Sequence, residues 1–134
     1  MERKFKREIN ALDDVFDFVE NYSSANAIDP AFLFSIKFVI EELFTNMVKY
    51  NVSDSQSDIS IGLQKENHRL VIQLIDYDVD AFDMSGAKDA DITQSLQERK
   101  IGGLGIHLVK KMVDAIDYEY VDRKSIITLT KNLG

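Results

Sequence analysis

The hydrophobic positions change period several times along the chain, and each change marks an element. Residues 4–9 alternate, with Phe5, Arg7 and Ile9 on one side and Lys4, Lys6 and Glu8 on the other. Period-two alternation with charge along one side predicts a border strand. From Asn10 the spacing of Leu12, Val15, Phe16 and Val19 becomes helical, and this helix fades in the polar residues 21–26. Asp29-Pro30 then gives a start signal, a side-chain cap followed by a proline whose missing amide costs nothing at the first helical position. The helix it opens carries Phe32, Ile36, Val39, Ile40, Leu43, Phe44, Met47 and Val48 on a broad apolar face and runs out in the Ser- and Asp-rich residues 51–57. It is the expected central core helix.

Two strands are expected next, over 58–65 and 69–76, joined by the short polar connection Glu66-Asn67-His68 and therefore antiparallel. Residues 77–101 are polar and irregular, with one helical turn expected over 92–97, and a connection of that length is usually a functional lid. Gly102, Gly103 and Gly105 lead into a helix over 106–115. Two closing strands follow, over 118–122 and 125–131, with Arg123-Lys124 between them. No repeat or linker interrupts the 134 residues, so the expectation is one domain over 1–134.

Composition narrows the partners. Hydrophobic residues at 45% and charged residues at 29% are ordinary globular usage. With 23 acidic against 16 basic residues the net charge is -7, a sign that repels phosphodiester backbones and argues against direct nucleic-acid binding. The chain has no cysteine, which excludes disulfides and thiolate metal sites and suits a reducing cytoplasm. The charged start MERKFKREIN is not a secretory signal, and no apolar run reaches the roughly 18 residues of a membrane helix. The expected location is the cytoplasm.

Two constellations carry candidate chemistry. Glu42 and Asn46 are four residues apart on the long helix and project from the same side, with Asn46 at the margin of the apolar stripe. An amide oxygen beside a carboxylate suits a hard cation such as magnesium together with phosphate oxygens, and the carboxylate suits proton abstraction from a hydroxyl or water. Such pairs also occur on helices that do no chemistry. The second constellation is IGGLGIHLVKKMVD: glycines allow close approach of a ligand, and the helix start after them offers free amides and a partial positive charge, a natural phosphate site. It is neither the Rossmann fingerprint nor the nucleoside-triphosphate P-loop, since no strand runs into the glycines and the lysine and hydroxyl are missing. Arg99 and Lys100 just upstream are placed to add positive charge, though a basic pair in a loop is often merely solvated. Between the two lies LIDYDVDAFD, with Asp76, Asp78, Asp80 and Asp83 clustered after a strand; it lacks the glycine and glutamate of an EF-hand. Two histidines and no cysteine are too few for an ordinary zinc site, and no serine stands in a nucleophile elbow.

In their order, EELFTNMVKY on a helix, a hairpin, an Asp-rich strand end, a lid and IGGLGIHLVKKM resemble the GHKL ATPase domain of sensor histidine kinases and gyrases. The closest likeness is to the RsbW-like anti-sigma-factor serine/threonine kinases. The resemblance implies an α+β two-layer sandwich of the Bergerat type, a mixed, mostly antiparallel sheet with helices packed on one face. It implies ATP and Mg2+, with magnesium on Asn46, Glu42 as base toward the serine of an antagonist, and phosphate held at Gly102, Gly103, Leu104 and Gly105, with Arg99 nearby. Implied partners are a sigma factor and a STAS-type anti-sigma antagonist, and the implied assembly is a homodimer, its interface using the edge strand. The family also places an aspartate two residues before a glycine, the first for the adenine amino group and the second to let the ring approach. Here the glycine is missing: counting back from Phe82-Asp83 puts Tyr77 and Val79 at the two positions, while counting along the strand puts Asp76 and Asp78 there. The strand fixes the direction of Asp76, which is preferred. The alternative to a kinase is a non-catalytic anti-sigma binding module of the same fold with weakened or lost nucleotide binding.

Overall fold

The computed structural model describes residues 1–49, 54–79 and 104–134. Of the expected lid only its first three residues fall among these, and the helical turn expected over 92–97 lies outside them, as do Arg99, Gly102 and Gly103.

Five strands, β1 (Glu2–Phe5), β2 (Ile59–Glu66), β3 (Arg69–Tyr77), β4 (Ala115–Val121) and β5 (Lys124–Asn132), form one sheet in the order β1-β2-β3-β5-β4. Each of its four pairings is antiparallel. Among the described residues three α-helices, α1 (Leu12–Ala25), α2 (Leu33–Lys49) and α3 (Leu104–Met112), accompany it in an α+β architecture of the expected Bergerat type. Alternation decides the faces: on β3, Leu70, Ile72, Leu74 and Asp76 are buried while the residues between them are only half-buried. These pack with Ile59, Ile61 and Leu63 of β2 and Ile127 and Leu129 of β5 against Ile36, Val39, Ile40, Leu43 and Phe44 of α2, the core of the molecule. No helix among the described residues is long and apolar enough to cross a membrane.

The boundaries differ from the sequence pattern where local chemistry overrides it. The border strand stops at Phe5 instead of continuing to Ile9, and residues Ile9–Ala11 wind into a turn of 3-10 helix leading into α1. Phe5 is the last residue of that stretch that the core buries as a side chain against Phe18, with ring centroids 5.6 Å apart. Asp29 does cap the next element, its Oδ1 accepting from the Ala31 amide at 2.9 Å, but the first turn, Pro30–Phe32, is 3-10 before α2 begins. The β2–β3 hairpin turns on two residues, not three, with Asn67 in the left-handed region at φ 58°. The last hairpin also turns one residue earlier than expected, on Asp122 and Arg123, both left-handed at φ 51° and 60°. That is the geometry of a type I′ turn, whose twist matches the flanking strands.

Candidate functional site

The register of the sheet gathers one row of side chains at the end nearest the helix C-terminus of α2. Phe5 pairs Ile59, Ile59 pairs Asp76, Asp76 pairs Ser125 and Ser125 pairs Tyr120, so all five residues lie side by side on one face. Asp76 is thus set on the helix-covered face, 9% exposed, in a row that is otherwise apolar or hydroxylic. A carboxylate there needs a strong partner.

The partner is Arg7, which sequence reasoning placed on an edge strand and assigned no role. Beyond the end of β1 its side chain turns inward, 6% exposed, and an Nη2–H donates to Asp76 Oδ1. The same guanidinium donates from Nη1 to the Met47 carbonyl at 3.3 Å, from Nε to the Ser57 carbonyl at 3.1 Å and from Nη2 to Ser55 Oγ at 3.4 Å. Arg7 therefore ties three separate stretches together: the end of α2, the connection after it and the end of β3. Ser55, 3% exposed, adds a second tie by donating to the Tyr77 carbonyl at 2.7 Å. The only sequence signal for this hub was a basic residue in phase with Phe5, and its acceptor lies 69 residues away.

Past Asp76 the backbone bends through Asp78, which takes φ 54°, a left-handed conformation that favours glycine and that aspartate tolerates better than most. On the preferred count along the strand, Asp78 falls at the position where the resembled family has its glycine. The chain keeps a glycine-like backbone there while carrying a side chain, and that side chain points outward, its Oδ1 accepting from Arg123 Nε at 3.1 Å with 64% of it exposed. The β4–β5 turn holds this bend from outside. The Val79 amide donates to the Arg123 carbonyl at 3.0 Å, and the Tyr120 hydroxyl donates to the Val79 carbonyl at 2.8 Å.

Glu42 and Asn46 lie on α2 as expected, both half-buried at the edge of its core face, one turn apart. Met47, the residue after Asn46, is the one whose carbonyl Arg7 grips, so the Asn46 end of α2 and Asp76 of β3 are joined through a single guanidinium. α3 packs against α2 and begins at Leu104, two residues earlier than expected, so Leu104 and Gly105 belong to its first turn. The amides of a first turn have no partner within the helix and face its N-terminal end with a partial positive charge. Val109 is fully buried against the core, and Lys131 Nζ closes the other end by donating to the Met112 carbonyl at 2.7 Å. Among the described residues there is no group of three or more His, Cys, Asp or Glu side chains able to hold a metal by themselves.

Comparison with known proteins places this arrangement. Residues 5–131 match the family profile of the histidine kinase-like ATPase domain, which is nearly the whole chain and shows the family. An ATPase domain implies nucleotide binding. No curated protein matches the sequence. Among solved structures, a chain of the SiaB-SiaC complex from Pseudomonas aeruginosa shares the fold with a TM-score of 0.61 at 13% identity, over 98% of this chain and 88% of that one.

Proposed function

Because the chain belongs to the histidine kinase-like ATPase family, we propose that it is an ATP-binding anti-sigma factor that phosphorylates a serine or threonine of an anti-sigma antagonist, and that it holds a sigma factor when that antagonist is not available. The observation that carries the reading is Glu42 and Asn46, half-buried one turn apart on α2, the helix against which α3 (Leu104–Met112) packs. The Asn46 amide oxygen would hold magnesium, which when bound supplies positive charge beside the phosphates. The first-turn amides of α3, with Gly102 and Gly103 before them and Arg99 nearby, would cradle phosphate oxygens. Glu42 would accept the proton of the attacking hydroxyl, and Asp76 would be the residue that meets the base. Catalysis of this kind is positioning and charge neutralisation.

A protein partner is in keeping with the fold's occurrence in the SiaB-SiaC complex, itself an assembly of two proteins. The sigma factor, the STAS-type antagonist, the homodimer and the cytoplasmic location belong to the proposal. One observation favours the second reading, a binding module that controls its partner by association alone: Asp76 is already engaged by Arg7. Calorimetric titration with ATP and Mg2+ tests the choice, run on the native chain and on Asn46→Ala. We expect heat from the native chain that the variant loses. No heat from the native chain at millimolar ATP would leave only the binding module.

A further inference from the structure

We propose that the free side of β1 is a docking site for a partner protein, which adds an extended, acidic segment to the sheet and seats a large apolar side chain in the groove between β1 and α1.

β1 is the outermost strand, and among the described residues no strand pairs its other side. The ladder fixes which backbone groups that side presents. Met1 N donates to the Leu63 carbonyl and the Leu63 amide to the Met1 carbonyl, each at 2.7 Å, so these two residues exchange both bonds. Such pairs recur at every second position of an antiparallel ladder, which makes Arg3 with Ile61 and Phe5 with Ile59 the same kind. Glu2 and Lys4 therefore turn their N–H and C=O groups outward, a template for one more strand. Charged side chains, lysine above all, commonly guard such an edge. Here they are folded back from it. The Arg3 guanidinium lies over the Phe5 ring, 5.1 Å from its centroid, and the Lys4 ammonium lies 5.2 Å from the centroid of Tyr77, which is on β3 and so across β2 from the free side.

The side chains of an added strand alternate between the two faces of the sheet. The one opposite Arg3 points to the helix side, into a groove of about 550 Å³ lined by Phe18, Tyr22 and Ala25 of α1 together with Met1, which is 69% exposed. That lining suits a large apolar residue. Charge selects the rest of the segment. Residues 2–6 hold Arg3, Lys4 and Lys6, all exposed, against Glu2 alone, in a chain whose net charge is -7. The carboxylates of α1 lie between Asp13 and Glu20, and none stands from Asn21 to Ala25, the part beside the groove. A second copy of this chain fits less well. Two-fold pairing of β1 with itself centres on one residue: on Arg3 it brings a guanidinium instead of an apolar side chain to the groove, and on Lys4 it opposes two lysines.

The test titrates the isotope-labelled native chain with the capped peptide acetyl-SEVEFEVS-amide, which alternates acidic and apolar residues, and follows backbone amide shifts by NMR. Saturable shifts centred on Glu2, Lys4 and residues 21–26 are expected, with a dissociation constant of about a millimolar or tighter. Replacing the central phenylalanine of the peptide with serine should weaken binding about tenfold or more, and replacing its glutamates with lysines should do the same. Lys4→Pro removes an outward amide and leaves the β1–β2 ladder intact, so it should keep the native melting temperature and lose the peptide, whereas Lys4→Ala should bind within about threefold of native. No saturable shift on the native chain, shifts centred elsewhere, or equal binding of either altered peptide would overturn the inference, and so would full binding by a folded Lys4→Pro. Sedimentation addresses the other occupant: a native dimer that the peptide splits would assign this edge to a second copy instead. The peptide comparisons on the native chain decide even if Lys4→Pro fails to fold. Nucleotide binding stands or falls separately.

Discussion

Replacing Arg7 with methionine should be among the most destabilising single changes in the described part of the chain, although Arg7 belongs to no regular element. The side chain is 6% exposed and makes four hydrogen bonds, three to neutral oxygens and one to the Asp76 carboxylate, whose own side chain is 13% exposed. Removing one member of a buried ion pair costs about 3–5 kcal/mol, chiefly because the other charge is left without its partner. A domain of this size has roughly 5–15 kcal/mol of stability in all, so the loss would lower its melting temperature by on the order of 10 °C. Asp76→Asn should cost less, about 2–3 kcal/mol, since an amide oxygen still accepts from the guanidinium. The double variant should cost less than the two single losses added, with a coupling of about 2 kcal/mol. Urea denaturation followed by far-ultraviolet circular dichroism measures all three. A loss under about 1 kcal/mol for Arg7→Met, or strict additivity in the cycle, would show that the pair is not the hub described.

Three other outcomes are expected. Glu42→Ala should keep ATP binding by calorimetry yet abolish phosphotransfer to the cognate antagonist; radiolabel appearing on the antagonist at the native rate would remove Glu42 from the base role. At the bend, Asp78→Gly should change stability by less than about 1 kcal/mol, relief of the left-handed φ being offset by lost backbone entropy and an exposed ion pair, whereas Asp78→Val should cost more than that in the same urea assay. Ile40→Ala, at a fully buried position on the core face of α2, should cost about 2–5 kcal/mol with the fold otherwise retained.

What was legible in the sequence follows from the range of the forces involved. β2 and β3 were found within a residue at each end because Ile59, Ile61, Leu63 and Leu70, Ile72, Leu74 alternate against one core, a local signal. α2 was legible for the same reason, and with it the shared side of Glu42 and Asn46. Boundaries failed where two periods overlap. Apolar spacing continues from α3 through Val113, Ala115 and Ile116, so the helix was carried too far and β4 begun too late, although Ile116, Tyr118 and Tyr120 alternate. The type I′ turn at Asp122 and Arg123 escaped because neither residue is the glycine or asparagine that usually marks one. Arg7 was invisible for a different reason. Nothing within its own stretch distinguishes a buried guanidinium from a solvated one, and its four acceptors, in Met47, Ser55, Ser57 and Asp76, are all supplied by residues at least 40 positions away.

That separation also bears on the order in which the chain assembles. The β2–β3 and β4–β5 hairpins close over two residues each and involve only neighbours, so their pairing is fast and early. The contacts of Arg7 require the first strand, the end of α2 and the end of β3 to be in place together, an ordering whose entropic cost defers it until the rest has condensed. Contacts made after the rate-limiting step govern escape from the native state, not arrival at it. Loss of the guanidinium should therefore steepen neither arm of a chevron plot but lift its unfolding arm, and the stability missing in Arg7→Met should reappear almost wholly as a shorter native lifetime.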